Sequence, residues 1–266
     1  MNTQIVSNLP VAATIGFAAS HLSPSYQHVR TLDLLDPLFA EGWVIDQSKV
    51  KRSRSPEHAG HAFRLSNPNL APATTEYKPQ IVVRNGSNGD TALQVSAGLY
   101  RFACANGIVS GASALSIRVC HRGANLQDRI IAAARNVTNS LPILTDAVQR
   151  WTGVEMTLAD EYEFAQEAAA LRWDLVGGDL TVDMADMIAP RRFADSARNL
   201  WMTFNRVQES VVRGGVRVTR NVATNDEAGN TLSVEQKTRA SRAVNSIDKN
   251  LDINKRLWNL AEAFAS

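Results

Sequence analysis

The chain has 266 residues, of which 44% are apolar and 20% are charged, and its formal net charge is +2. This composition excludes an intrinsically disordered chain and is typical of a globular protein that buries a full hydrophobic core. No apolar run approaches the roughly 18 residues of a membrane span, and two cysteines are too few for a disulfide framework, so we expect a cytoplasmic protein without a membrane partner.

The amino-terminal part of the sequence predicts one helix followed by an antiparallel meander. The helix begins near Thr31 and ends before Gly42. The pairs Asn85-Gly86 and Asn88-Gly89 favour a tight hairpin, and Asn106-Gly107 repeats that signal one strand later. Residue content and turn punctuation indicate about five strands, at 43–50, 62–66, 80–85, 92–103 and 115–122.

From residue 123 onward the apolar period is that of helices. Thr157 and Asp160 form the pattern of a capping box, which opens an acidic helix reaching about Trp173. An amphipathic helix follows between Pro190 and Val207, and further helices close the chain. Residues 213–233 lack a sustained apolar period, which predicts a mobile loop.

The expected fold class is therefore α+β, with an antiparallel β-meander framed by helices and a helical carboxy-terminal half. We expect a single domain over residues 1–266. Its first part, 1–122, holds the helix and the meander, and its second part, 123–266, is mainly helical.

Charge is distributed unevenly along the chain. Residues 155–186 contain nine acidic residues and a single basic one, Arg172, whereas the segments on both sides are net basic. Most of the basic residues are arginines, which suit bidentate phosphate contacts but are equally typical of a GC-rich genome. Both interpretations of the arginine content stay open.

Alternation along the last predicted strand separates two sides of the meander. Side chains of neighbouring residues on a strand point to opposite sides. We expect one side to pack against helices and the other to be polar and basic. The first set is Leu115, Ile117, Val119 and His121, and the second is Ser116, Arg118, Cys120 and Arg122.

The basic residues of the strands and their loops are candidates for a groove that binds nucleic acid. Such a groove binds phosphates by releasing counterions, without reading bases. The alternative is that alternating arginines merely solvate an exposed sheet face. Tyr100 and Phe102 share a strand side and are candidates for stacking on unpaired bases, with core packing as the alternative. The candidate binding residues are Lys49, Lys51, Arg52, Arg54, Arg64, Arg84, Arg101, Arg118, His121 and Arg122.

No constellation in the sequence indicates catalysis or a cofactor. Glu57, His58 and His61 lack the order and the helical setting of a zinc-protease motif. The acidic residues between 179 and 186 have no further type of ligand beside them. Phosphate-binding glycine loops and the nucleophile motif of hydrolases are absent from the sequence. We expect a protein that is not an enzyme and has no metal and no small-molecule cofactor.

Several separated stretches resemble one protein family. Their order over residues 25–264 is similar to that in the domain of unknown function 932 family, whose members are often labelled phage/plasmid-like proteins. The resemblance implies a setting on a mobile genetic element and carries over no catalytic residues. The matching stretches are His28-Val-Arg-Thr31, Gly42-Trp43, Gly98-Leu-Tyr-Arg-Phe-Ala-Cys-Ala-Asn-Gly107, His121-Arg122, Asn205-Arg-Val-Gln-Glu209, Arg213-Gly214-Gly215 and Asn254-Lys-Arg-Leu-Trp258.

Setting and charge together favour single-stranded nucleic acid binding or annealing in the DNA metabolism of a mobile element. The order of helix, antiparallel meander and long helix also resembles that of Rad52-like annealing proteins, which implies a homo-oligomer with single-stranded DNA along a basic groove. The alternative hypothesis is an inhibitor or decoy that binds a host defence or replication factor through the acidic helix. Its working surface would include Glu161, Glu163 and Glu167.

Overall fold

The computed structural model of the protein describes residues 9–69, 76–102, 106–109, 116–119, 121, 126–225 and 231–266. In these residues the predicted α+β class is confirmed, with a six-stranded antiparallel sheet, a three-stranded sheet, and helices mostly in the carboxy-terminal half. The chain divides into two compact units, Met1–Thr145 and Asp146–Ser266, called the amino-terminal and carboxy-terminal units below. The sequence predicts one domain that changes from the meander to helices at residue 123. The boundary between the two units, after Thr145, lies later in the chain.

The amino-terminal unit contains the six-stranded sheet. Its helices are α1 (Val11–Thr14), α2 (Thr31–Ala40) and α3 (Leu126–Asn139), and its strands are β1 (Val44–Val50), β2 (His61–Ser66), β3 (Tyr77–Asn85), β4 (Leu93–Arg101), β5 (Asn106–Val109) and β6 (Ser116–Val119). The order in the sheet is β1-β2-β3-β4-β5, and β6 pairs with the other half of β4. Helix α3 packs against β4, β6 and α2.

Strand β5 departs from the sequence-based prediction. Asn106-Gly107 predicts a turn, yet the pair begins β5, which lies against the end of β4. Gly98 of β4 permits this approach, because a Cβ atom there would collide with the carbonyl oxygen of Ile108. The hairpin prediction is confirmed, since β3 and β4 pair across the turn in which Gly89 has φ of +82°.

The strands of this sheet have two unlike sides. Residues directly opposite each other on neighbouring strands share a side, and the side alternates along each strand. Phe63, Ile81 and Leu99 lie on one side and are fully buried, and we call it the packed side. Helix α2 begins against it, since the Thr31 hydroxyl lies 2.7 Å from Nε2 of His61. The opposite side is called the polar side below.

The carboxy-terminal unit is helical around an aromatic core. Its helices are α4 (Leu141–Gly153), which contains the boundary between the units, α5 (Leu158–Ala170), α6 (Met184–Ile188), α7 (Leu200–Arg213) and α8 (Ile247–Phe264). The ring of Trp151 lies 4.5 Å from that of Trp258 and 5.2 Å from that of Phe204. The predicted capping box is confirmed, because Thr157 and Asp160 bond each other's backbone amides at the start of α5. Of the helices in the described ranges, none is long and apolar enough to cross a lipid bilayer.

The mobile loop predicted for residues 213–233 is wrong over most of its length. The second sheet, in the order β7-β8-β9, consists of β7 (Leu180–Val182), β8 (Arg217–Asn225) and β9 (Thr231–Ala240). The described side chains of β9 are all exposed, and those of β8 are exposed or half-buried without a period of two, so neither strand shows the apolar alternation that marks a half-buried strand. Residues 226–230 lie outside the described part of the chain.

Candidate nucleic-acid interface

The register of the first sheet brings three predicted cations into one line across the polar side. Lys49 of β1 lies opposite Ala62, which lies opposite Arg84; Arg84 lies opposite Gln94, and Gln94 opposite Arg118 of β6. Strands are about 4.8 Å apart, so consecutive cations along this line are separated by ~10 Å at the backbone. We call Lys49, Arg84 and Arg118 the cationic row.

The two ends of the cationic row are open to solvent. Lys49 and Arg118 are exposed, and neither forms an ion pair with any residue that the structure describes. Arg84, in the middle, is half-buried. Three further predicted cations, Lys51, Arg52 and Arg54, follow β1 in an exposed connection and extend the positive charge from the Lys49 end.

Tyr100 provides an aromatic surface on the polar side. It lies opposite Lys78 of β3, whose ammonium group is 5.7 Å from the centre of the tyrosine ring. Phe102, one residue beyond β4 and 44% exposed, meets the same ring edge-to-face at 5.8 Å. Tyr100 is half-buried, so its side chain is partly accessible to solvent.

Arg64 lies nearer the middle of the sheet and is less accessible than the cationic row. It shares the polar side, because it lies opposite Gln47 of β1 and Val82 of β3. Burial lowers the pKa of the Arg64 guanidinium to about 10, and the nearby Tyr100 opposes this shift. The side chain therefore remains charged at neutral pH and raises the positive potential beside the tyrosine ring.

Asp46 is the single acidic residue in the described strands of this sheet. It sits where the β1–β2 register shifts, and its carboxylate accepts hydrogen bonds from Lys78 at 2.6 Å and Gln80 at 2.5 Å. Lys78 is thus partly neutralised, whereas the cationic row lies at the far end of the strands. Lys78 is absent from the sequence-based candidates, because the predicted strand begins only at residue 80. Proline is unusual inside a strand, so Pro79 argues against extending the strand back to Lys78, which lies on the same side as Arg84.

Two of the predicted binding residues do not belong to the polar side. Arg101 lies on the packed side, opposite Tyr77, and its buried guanidinium pairs with Glu76 at 2.9 Å. His121 is buried and stacks on Tyr26 at 4.8 Å, and burial lowers the pKa of its imidazole. Both are structural groups of the amino-terminal unit. Arg122 lies outside the described residues.

Three of the residues considered for metal binding, His61, Asp183 and Asp186, have other partners. Nδ1 and Nε2 of His61 lie within hydrogen-bonding distance of the Ala59 carbonyl and the Thr31 hydroxyl. Asp183 and Asp186 both bind the guanidinium of Arg217, at 2.7 and 2.8 Å. Within the described residues, no group of three or more histidine, cysteine, aspartate or glutamate side chains could hold a metal ion.

The acidic helix α5 presents fewer carboxylates than its sequence predicts. Glu161 is buried and pairs with Arg206 of α7, so it cannot belong to a protein-binding surface. Glu163 and Glu167 are exposed on the opposite face of α5. The helical period explains the difference, since residue 161 faces the core together with Phe164, Ala165 and Ala168.

Comparison with known proteins identifies the family. The family described as "Domain of unknown function (DUF932)" matches residues 18–258, which is most of the chain. This chain belongs to the DUF932 family. A DUF932 relative, UPF0380 protein YfjQ of Escherichia coli (strain K12), is 29% identical over 246 residues, covering 90% of this chain and 82% of its own length. UPF0380 protein YafZ of the same strain is also 29% identical, over 91% of this chain and 83% of its own length. No solved structure matches the chain significantly.

The DUF932-like stretch Asn205–Glu209 forms internal contacts in this chain. Within α7, Gln208 donates a hydrogen bond to Asn254 of α8 at 2.9 Å, and Arg206 binds Glu161. Glu209 accepts two hydrogen bonds from Arg192, at 2.7 and 2.8 Å. This motif of the family therefore holds helices together and does not indicate a reactive site.

Proposed function

We propose that this DUF932 protein binds single-stranded nucleic acid, DNA in the first place, along the polar side of its first sheet. The observation that carries the proposal is the cationic row of Lys49, Arg84 and Arg118 on the same side as the half-exposed ring of Tyr100. Cations arranged across a sheet bind a phosphate backbone, and an accessible ring stacks on unpaired bases.

Single strands fit this surface better than a duplex for a physical reason. A duplex keeps its bases stacked on each other, so the Tyr100 ring would gain no partner from it. Exposed and half-exposed cations interact with either form, because that contact depends on phosphate charge alone. The preference for single strands should therefore come from the ring and the affinity from the cations.

Annealing of complementary strands is the activity that follows from such binding. A surface that holds the backbone and leaves base edges free presents a strand for pairing, and several copies of the chain would extend the bound length. We therefore include a homo-oligomer and a role in mobile-element DNA metabolism in the proposal. The Rad52-like order of elements supports the homo-oligomer by analogy, and the phage/plasmid-like setting that the family resemblance implies supports the role in mobile-element DNA metabolism.

Fluorescence anisotropy with labelled single-stranded and duplex DNA tests the proposal, with light scattering on the same sample. The variant Lys49→Ala/Arg118→Ala should bind single strands about tenfold or more weakly, since it loses two phosphate contacts. The matched control, Arg30→Ala/Arg135→Ala, removes two cations of the same unit, one just before α2 and one in α3, which pair with Asp33 and Glu41, and should bind like the wild type.

Either of two results would count against the proposal. Equal affinities of the two double variants would exclude the cationic row as the binding surface. No binding of any DNA at low salt would exclude DNA as the ligand and would turn attention to the inhibitor hypothesis, with Glu163 and Glu167 as its remaining exposed carboxylates on α5.

A further inference from the structure

The carboxy-terminal unit contains a second positively charged groove, on one side of the β7-β8-β9 sheet. The register places Leu180 opposite Arg220, which lies opposite Lys237, and Val218 of the next row opposite Arg239. These side chains share a side, because alternate residues of a strand do. A cavity of about 560 Å³ lies on this side, and Trp173 and Arg242 also line it. We call it the Trp173 groove.

The charges of the Trp173 groove are largely uncompensated. The described residues that line it include five cations and no acidic side chain. Arg220, Arg239 and Arg242 are exposed, and none of them forms an ion pair with a residue in the described ranges. Lys237 pairs at 3.0 Å with Glu235, which is 68% exposed, so solvent screens that pair.

Trp173 is held in place as the aromatic wall of the groove. The guanidinium of Arg172 lies 4.6 Å from the ring centre, in cation–π contact. Arg172 is itself fixed by hydrogen bonds to the carbonyl oxygens of Val211 and Arg242. The ring is half-buried and also borders an adjoining hollow of about 460 Å³, so part of it remains accessible. On the side of the Trp173 groove the indole lies among arginines and provides a stacking surface next to phosphate-binding groups, whereas Asp174 and Asp179 line the adjoining hollow.

We propose that the Trp173 groove is a second binding site for single-stranded nucleic acid. Arg220, Arg239 and Arg242 would bind backbone phosphates, and one unpaired base would stack on the free part of Trp173. The valines of β8 and Leu180 would contact the sugar and the base edge. The inference rests on the proposed function and extends it, because it gives each unit its own contact with the strand.

Charge and shape together favour this occupant over an acidic protein segment. Carboxylate side chains would satisfy the arginines but would leave the indole without a partner, whereas a nucleotide supplies both an anion and a flat ring. A duplex would supply phosphates without an unpaired base. A lipid surface would need a flat or convex face, and the groove is concave between Trp173 and the strands.

The test uses the full chain and a labelled oligothymidine in a salt series. The variant Arg220→Ala/Arg239→Ala should bind about tenfold or more weakly and with a shallower salt dependence than the wild type. Trp173→Leu should weaken binding by about 5- to 150-fold with an unchanged salt dependence, since it removes a ring and no charge. Arg150→Ala/Arg256→Ala, which removes two exposed arginines from helices of the same unit, should bind like the wild type. Circular dichroism should give every variant the thermal midpoint of the wild type.

A direct readout avoids any dependence on the variants. Irradiation of the wild type with an oligonucleotide containing 5-iodouracil, followed by peptide mapping, should give a cross-link at Trp173.

If Arg220→Ala/Arg239→Ala binds like the wild type while Lys49→Ala/Arg118→Ala is impaired, the Trp173 groove is not a binding site and the proposed function stands. If only the groove variants are impaired, the first sheet is not the interface. The inference would also be overturned if both double variants bound single strands like the wild type, or if the protein bound phosphatidylserine vesicles and no oligonucleotide.

Discussion

The carboxylate of Glu161 in α5 and the guanidinium of Arg206 in α7 form an ion pair in which each side chain is only 3% exposed. Both partners have further hydrogen bonds. The Thr203 hydroxyl lies 3.1 Å from the same carboxylate, and Arg206 donates to the Asp195 carbonyl at 3.1 Å. An acidic residue assigned by sequence to a protein-binding surface is therefore part of the core of the carboxy-terminal unit.

Removing one member of this pair should destabilise the protein strongly. Glu161→Ala leaves the Arg206 charge buried without its carboxylate, which costs about 3–5 kcal/mol. Glu163→Ala removes an exposed carboxylate from the same helix and should change the free energy of unfolding by less than about 0.5 kcal/mol. Chemical denaturation of both variants measures the difference. Equal stabilities would contradict the structural role of the pair.

Gly214 should resist substitution because of its backbone. Its φ is +81°, and a Cβ atom at this position would collide with the carbonyl oxygen of Ser241. Gly214→Ala should therefore lower the free energy of unfolding by about 1–3 kcal/mol. At Gly153, a Cβ atom would meet nothing within 4 Å, so Gly153→Ala should be neutral or slightly stabilising. Thermal denaturation compares the two, and a similar loss in both would refute the steric explanation.

Acid should destabilise the protein through His61 and His121. Burial lowers the pKa of both imidazoles below 6.5 in the folded state. Below about pH 6.5 the unfolded chain therefore binds protons that the folded chain does not, and the free energy of unfolding falls; above it, these residues have no effect. Urea denaturation at about pH 7.5 and about pH 5.5 measures the change.

The contribution of one histidine can be isolated by comparison. His61→Gln should show a smaller loss of stability on acidification than the wild type, because one proton-binding group of the unfolded chain is gone. His21→Gln changes an exposed histidine of the same unit and should keep the wild-type dependence. If both variants follow the wild type, burial of His61 does not control the pH response.

Tyr100 should contribute to binding through its ring. Tyr100→Leu is expected to weaken single-strand binding by about 5- to 150-fold, the effect of one stacked base, without lowering the thermal midpoint. Tyr100→Phe keeps the ring and should restore most of the affinity. Tyr162→Leu, at a tyrosine 40% exposed on α5, should have no effect. Unfolding of Tyr100→Leu would instead assign the ring to the core.

The features that the sequence predicts well are those with a strong local cause. The hairpin between β3 and β4 follows from asparagine–glycine pairs, and the start of α5 follows from Thr157 and Asp160, whose side chains act within one helical turn. Period-two alternation correctly separates Ile117 and Val119 from Ser116 and Arg118.

The features that the sequence does not predict depend on pairing between residues that are distant along the chain. Tyr100 and Arg101 are neighbours on β4 and cannot share a side, and only the register with β3 shows that Arg101 faces the core beside Glu76. The β8-β9 hairpin has no buried stripe to mark it, since the described side chains of its strands are exposed or half-buried. The sequence predicts an exposed carboxylate at Glu161, and only the contact with Arg206 of another helix shows that it is buried.

The salt dependence of single-strand binding tests the central claim most directly. If at least three cations of the polar side bind phosphates, log K should fall with log salt with a slope of about −2 or steeper, since each contact contributes about 0.7 on single strands. Lys49→Ala/Arg118→Ala should reduce the slope by about 1.4. A wild-type affinity that does not change with salt, or an identical slope in the variant, would contradict the assignment of the polar side as the nucleic-acid interface.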